Sequence, residues 1–217
     1  MKQLEVRRID CQQVSPADIP ALFRAEKVTY QKIDTVDWAA DYPYCPQVEF
    51  AIAHKNDAIL LHYRVEEDCV RAVSGTDLGP VWEDSCCEFF VSPDVEGGYY
   101  NLETNCIGTV LLCNGKGRED RLKAPSDVLN AIERWSSLGR EPFEMKENKQ
   151  KWELALVVPV ASFFRHNLKD LSNLVMRANF YKCGDKTTKP HFLSWNPIDL
   201  PAPDFHRPDF FGEIRFL

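Results

Sequence analysis

Apolar residues in this chain recur at every second position over short runs, and turn residues interrupt those runs before any reaches helical length. That spacing constrains the fold most. Strands send successive side chains to opposite faces, whereas a helix face repeats every 3.6 residues. Val48, Phe50 and Ile52 share one parity, as do Ile59, Leu61 and Tyr63, and Lys55-Asn56-Asp57 between them has turn chemistry. Trp152, Leu154 and Leu156 repeat the pattern, and Cys69–Val73, Leu174–Lys182, Phe192–Trp195 and Phe211–Phe216 read as further short strands. About ten such strands, with Asp127–Trp135 as the one helical stretch of note, predict an all-β fold. The expected architecture is an antiparallel β-sandwich, immunoglobulin-like or jelly-roll-like, with minor helical insertions.

A length of 217 residues, 44% hydrophobic and 27% charged, suits a single domain spanning 1–217. Within it, 1–37 reads as a lead-in with a turn or two of helix capped by Ser15, and 114–149 as a polar insertion. The formal charge of -7, without a Lys/Arg cluster, repels phosphate backbones and anionic bilayers, so neither nucleic acid nor membrane is an expected partner. Met1–Arg8 is charged and has no apolar h-region, and no later run is long enough to span a bilayer. A native, complete chain is therefore expected in the cytoplasm; a chain whose leader has been removed would be secreted or periplasmic. The eight cysteines are diluted along the chain and several sit in apolar runs, which predicts reduced, buried thiols. Adjacent Cys86 and Cys87 would face opposite ways, and no CxxC pair or His/Cys spacing predicts a zinc site.

The candidate site centres on Val81–Val91. Trp82, Asp84 and Glu88 share one parity if the strand begins early, so an indole and two carboxylates would project from one side of a sheet. On the next strand Tyr99, Asn101, Glu103 and Asn105 share a face that is expensive to bury unless solvent or a polar ligand meets it. A pyranose has apolar C–H faces and an equatorial belt of hydroxyls, and it needs aromatics against the faces and donor or acceptor side chains around the edge. Trp82, Glu88, Glu103, Asn105 and Trp195 are of those types. Arg118, Lys182 and Arg207 are candidates for charge-assisted bonds to a hydroxyl pair, and the Asp204–Asp209 loop with His206 is expected to border the pocket. Each residue also has a structural reading. Large aromatics are usually core, as Trp135 and Trp152 are expected to be; Glu88 and Glu103 could pair across a hairpin or with Arg177; His206 could bond only its neighbours.

Val81-Trp82-x-Asp84-Ser85-x-x-Glu88-x-Phe90 is followed by Tyr100-Asn101-x-Glu103-x-Asn105-x-x-Gly108, Asn179-Phe180-Tyr181-Lys182, Ser194-Trp195-Asn196-Pro197 and Phe211-Gly212-Glu213. In that order, over about Val48–Leu217, the motifs resemble a carbohydrate-binding module of family 9 in its stand-alone bacterial branch. The resemblance implies non-catalytic binding of a mono- or oligosaccharide between two tryptophans, matched by Trp82 and Trp195, with Glu88 as the partner carboxylate. It implies a setting in carbohydrate catabolism, since such modules are usually appended to hydrolases. No cofactor is expected: some members hold structural calcium, but no Asp-rich loop here calls for it. The alternative from another class is a glycoside hydrolase using Glu88 and Glu103, which needs carboxyls about 5–5.5 Å or about 6.5–9.5 Å apart across one bond. A second alternative is a protein-interaction module that docks a partner on exposed aromatics.

Overall fold

The computed structural model describes residues 1–94 and 96–217. Among these, sixteen strands run in chain order as β1 (Gln3–Val6), β2 (Gln31–Lys32), β3 (Thr35–Val36), β4 (Gln47–His54), β5 (Ala58–Glu67), β6 (Val70–Ala72), β7 (Cys86–Ser92), β8 (Tyr99–Asn105), β9 (Val110–Gly115), β10 (Leu122–Lys123), β11 (Glu133–Ser136), β12 (Phe143–Lys146), β13 (Gln150–Pro159), β14 (Val175–Cys183), β15 (Phe192–Ser194) and β16 (Gly212–Phe216). Two short α-helices accompany them, α1 (Ile19–Ala25) and α2 (Ser126–Ala131).

The first sheet runs β1-β16-β14-β7-β8-β9-β10, with β15 joined to β14 and β3 to β15, and the second runs β11-β13-β5-β4-β2. Their facing sides carry the alternating residues that the sequence singled out. Val48, Phe50, Ile52, Ile59, Leu61, Tyr63, Trp152, Leu154 and Leu156 from one sheet meet Cys87, Phe89, Val91, Phe180 and Ile214 from the other in one buried cluster. The protein is thus an antiparallel β-sandwich. The β4–β5 turn forms as its composition predicts, with Asn56 at φ 71°, a left-handed position that asparagine tolerates.

Both outer faces are also covered. Ile19 and Phe23 of α1 lie on Ala51, Ala53, Leu60 and Ala155, where small side chains let the helix approach. Over the first sheet, Trp38, Ile198, Phe205 and Phe211 from loops cover Cys86, Phe90, Tyr99 and Tyr181, and the functional cavity opens in this cover.

Four sequence expectations are corrected. Residues 1–37 are structural, because β1 pairs in parallel with β16 and buries Val6, while β2 and β3 extend the two sheets. Ser15 makes no side-chain cap bond. The predicted helix at Asp127–Trp135 stops at Ala131, and Trp135, expected in the core, is half-buried on β11 against the outer layer beneath α1.

Candidate functional site

The β7–β8 hairpin builds the site. Its register sets Glu88 opposite Glu103, and β14 sets Tyr181 beside Glu88. Directly opposed side chains in an antiparallel pair have Cβ atoms about 4.5–5.5 Å apart, so two carboxyls share one small area of sheet. They form part of the lining of a cavity of about 360 Å³, together with Trp82, Arg118, Arg121 and Cys183. Asp185, Phe192, Pro203, Asp204, Phe205 and His206 complete the wall.

Trp82 is 39% exposed while Glu88 and Glu103 are each 3% exposed, so the indole stands at the mouth and the acids lie at depth. The indole sits in a 3-10 turn, Val81–Glu83, which the segment just after β14 holds in place. The Asp185 amide donates to the Trp82 carbonyl at 3.2 Å, and the Lys186 amide to the Glu83 carbonyl at 3.1 Å. Behind it, Asp84 accepts the Val73 amide at 3.0 Å, the Ser74 amide at 2.9 Å and Asn105 Nδ2 at 2.9 Å, and pairs with Arg71. Asp84 and Asn105 are fully buried in this knot and do not line the cavity. Both were expected to touch ligand; instead they fix the loop that presents Trp82.

The acids are electrostatically loaded. Burial, and then the neighbouring Glu103, push the Glu88 carboxyl well above its ordinary value. Burial pushes Glu103 up to about 7 against the bond from Asn101 and the nearby Arg121. Asn101 Nδ2 donates to Glu103 Oε1 at 2.9 Å, Arg121 Nη1 lies 4.0 Å from the same oxygen, and the Cys183 thiol donates to Glu88 Oε1 at 3.0 Å. The pair therefore enters neutral solution partly protonated, offering both a hydroxyl donor and acceptor oxygens. His206 is neutral, its pKa lowered to about 3 by burial and by Arg121 and Arg118, and its Nδ1 lies 2.8 Å from the Tyr99 hydroxyl.

A carboxyl whose folded pKa exceeds its unfolded value contributes stability at low pH that disappears as pH rises through the folded value. For Glu103, raised from 4.5 to about 7, that contribution is lost as pH rises between those limits. We expect the thermal midpoint to fall between pH 5 and pH 8 and the fall to shrink in Glu103→Gln. Equal midpoints at both pH values in the parent chain would refute the charge state assigned to the pair.

Three other expected ligand residues lie elsewhere. Trp195 is 2% exposed, edge-on to Phe50 and Phe180 at 6.0 and 5.7 Å between ring centroids, in the cluster between the sheets. The expected clamp of Trp82 and Trp195 is absent: one indole is at the cavity mouth, the other in the core. Lys182 also points inward, with Nζ 2.9 Å from Glu67 Oε2 and 2.7 Å from His191 Nε2, all fully or almost fully buried. Arg207 pairs with Asp209 at 3.3 Å, outside the lining. Trp82, Glu88, Glu103, Arg118 and His206 do meet, as the sequence predicted. Arg121, Asp185 and Phe205 join them from loops and Phe192 from the start of β15, without a local motif.

A larger depression of about 630 Å³ crosses the outer face of the second sheet. There Glu153, Arg64, Glu49 and Lys32 stand opposite one another across successive strands in a row of alternating charge, with Glu153 2.9 Å from His62 and the Arg64 guanidinium 3.8 Å above the Tyr30 ring. Trp152 borders it but is 1% exposed, which leaves no aromatic platform for a sugar face.

An antiparallel sandwich with a small cavity that combines an exposed indole, buried acids and arginines has the build of a small-ligand binding domain. The sequence profile of carbohydrate-binding family 9 matches residues 17–216, and the chain belongs to that family. It is 47% identical, with a TM-score of 0.97, to a structure from Bacteroides uniformis that carries a provisional carbohydrate-binding designation, covering 100% of this chain and 99% of that one. Two family 9 modules from Caldicellulosiruptor kristjanssonii share the fold at 10% identity. The one solved with cellotriose has a TM-score of 0.64 and coverage of 99% and 93%; the one solved with glucose, 0.61 with 100% and 96%. No curated protein matches the chain significantly. No helix among the described residues is long and apolar enough to cross a membrane.

Proposed function

We propose that the cavity beneath Trp82 binds a mono- or oligosaccharide without cleaving it. The observation that carries this reading is the combination, in one cavity, of a half-open indole with the Glu88–Glu103 pair and two arginines. The indole suits the C–H face of a pyranose. The acids and guanidiniums suit the hydroxyl edge, where charge-assisted bonds are about twice as strong as neutral ones. Family membership and the glucose and cellotriose complexes of the two fold relatives support the same ligand class. A hydrolase would set one carboxyl on each side of the scissile bond. Glu88 and Glu103 project side by side from neighbouring strands of one floor, and the release of reducing sugar separates that reading from binding.

Calorimetric titration with glucose, cellotriose and the best hits of a glycan array tests the proposal. The parent chain is expected to bind one sugar class saturably and to release no reducing sugar on long incubation. Trp82→Ala is expected to lose about 2 kcal/mol, roughly 30-fold in affinity, as a central aromatic contact does. Its stability should be unchanged, since the ring is 39% exposed. Undiminished affinity in Trp82→Ala would place the sugar elsewhere, and product release abolished in Glu88→Gln would make the protein a hydrolase.

A further inference from the structure

The floor of the cavity holds a second arrangement, which shares only Glu88 with the sugar reading. Cys86 on β7 and Cys183 on β14 are register partners on neighbouring strands, and both face the outer side of the sheet with Glu88. One ligand atom from each of Cys86, Glu88 and Cys183 lies within 4.8 Å of the other two, and all three residues are buried. The Glu88 carboxyl, 3% exposed, takes a single hydrogen bond among the described residues, from the Cys183 thiol. A buried carboxyl with one weak thiol donor leaves most of its acceptor capacity unfilled. Glu88 and Cys183 also line the cavity, so a fourth position beside them faces open space.

We infer that Cys86, Cys183 and Glu88 form a binding site for one thiophilic divalent cation of the zinc type. Two sulfurs and one oxygen from the protein, with the fourth position turned to the cavity, make an open tetrahedral set for such an ion. Soft sulfur donors select it over calcium or magnesium, which take oxygen ligands. No linear motif announces the site because strand register, rather than sequence spacing, brings the two cysteines together. Binding displaces the two thiol protons and any proton on Glu88, with no change of oxidation state. Affinity therefore rises with pH. The occupied site also takes Glu88 out of the hydrogen-bonding set offered to a sugar, so cation and sugar compete.

Titration of the reduced chain with Cd2+, followed by thiolate-to-metal charge-transfer absorption, tests this, with Zn2+ as displacing ion. The expected result is saturation at one ion per chain, reversed by Zn2+. Cys183→Ser and Cys86→Ser should each weaken binding roughly tenfold or more and halve the absorption per ion, and Glu88→Gln should weaken binding while keeping the full band. Cys45→Ser, at an exposed thiol outside the cluster, should leave the titration unchanged. Zn2+ should also raise the thermal midpoint of the parent and of Trp82→Ala but not that of Cys183→Ser. That readout stands whether or not the cavity takes a sugar. Absence of a saturable band, its survival in Cys183→Ser, or its loss in Cys45→Ser would overturn the site. Should Cys86→Ser fail to fold, Cys183→Ser alone decides.

Discussion

Trp195→Ala is expected to cost about 3–5 kcal/mol of unfolding free energy, as truncation of a buried indole does, and to leave the sugar affinity of the folded protein within about twofold, the span of ordinary surface effects. The ring lies between Phe50, Phe180 and Gly212, so tightly that a Cβ on Gly212 would meet it at 2.5 Å and the Lys2 carbonyl at 2.8 Å. Its removal leaves a cavity lined by residues of both sheets that cannot collapse without moving strands. Urea denaturation of the variant measures the loss, and Trp195→Phe, which keeps most of the volume, should recover about half. Unchanged stability with abolished sugar binding would return Trp195 to the ligand site and remove the correction made above.

Lys182→Met is expected to destabilise by about 3–5 kcal/mol, because removing one partner of a buried ion pair strands the other charge in the core. The Lys182 ammonium pairs with Glu67, whose other oxygen accepts Trp152 Nε1 at 2.8 Å. Burial works against the charge, yet the Glu67 carboxylate holds Lys182 above its ordinary pKa, whereas burial and Lys182 hold His191 well below its own. The neutral imidazole thus leaves the pair as one cation and one anion. Adding Glu67→Gln to Lys182→Met keeps an acceptor for Trp152 and removes the orphaned charge, so the double variant should regain most of the loss. A double-mutant cycle in urea reads this directly. Additive single effects would mean that the two side chains are held by packing and not by each other.

These two residues also show what a linear reading can and cannot resolve. The parity within β7 and within β8 was legible, but it is the register of the hairpin that sets Glu88 opposite Glu103 on one face. The same rule held for Lys182: Phe180 and Lys182 share a parity on β14, and Phe180 lies in the core. Its charge argued for a bond to a ligand hydroxyl, and only the buried Glu67, on a distant strand, reverses that argument. Asp84 and Asn105 failed for a different reason. Carboxylate and amide groups that could bond sugar hydroxyls bond backbone amides equally well, and here the Val73 and Ser74 amides donate to Asp84 and the Thr109 amide to Asn105. Nothing local marks Arg121, Phe192 or Phe205, since segments remote in sequence, two loops and the start of β15, bring them to the cavity. Nor does anything near Gln3–Val6 announce a parallel pairing with Gly212–Phe216 at the other end of the chain.

The sandwich thus sets two acids in register on an outer face, and a separately anchored turn stands Trp82 above them at the mouth of the cavity. A crystal structure with the tightest-binding sugar tests that arrangement most directly. The expected density is a pyranose ring against the Trp82 indole with hydroxyls within hydrogen-bond reach of Glu88 and Glu103. A sugar lodged instead on the Glu49, Arg64 and Glu153 face of the second sheet, with the Trp82 cavity empty, would contradict it.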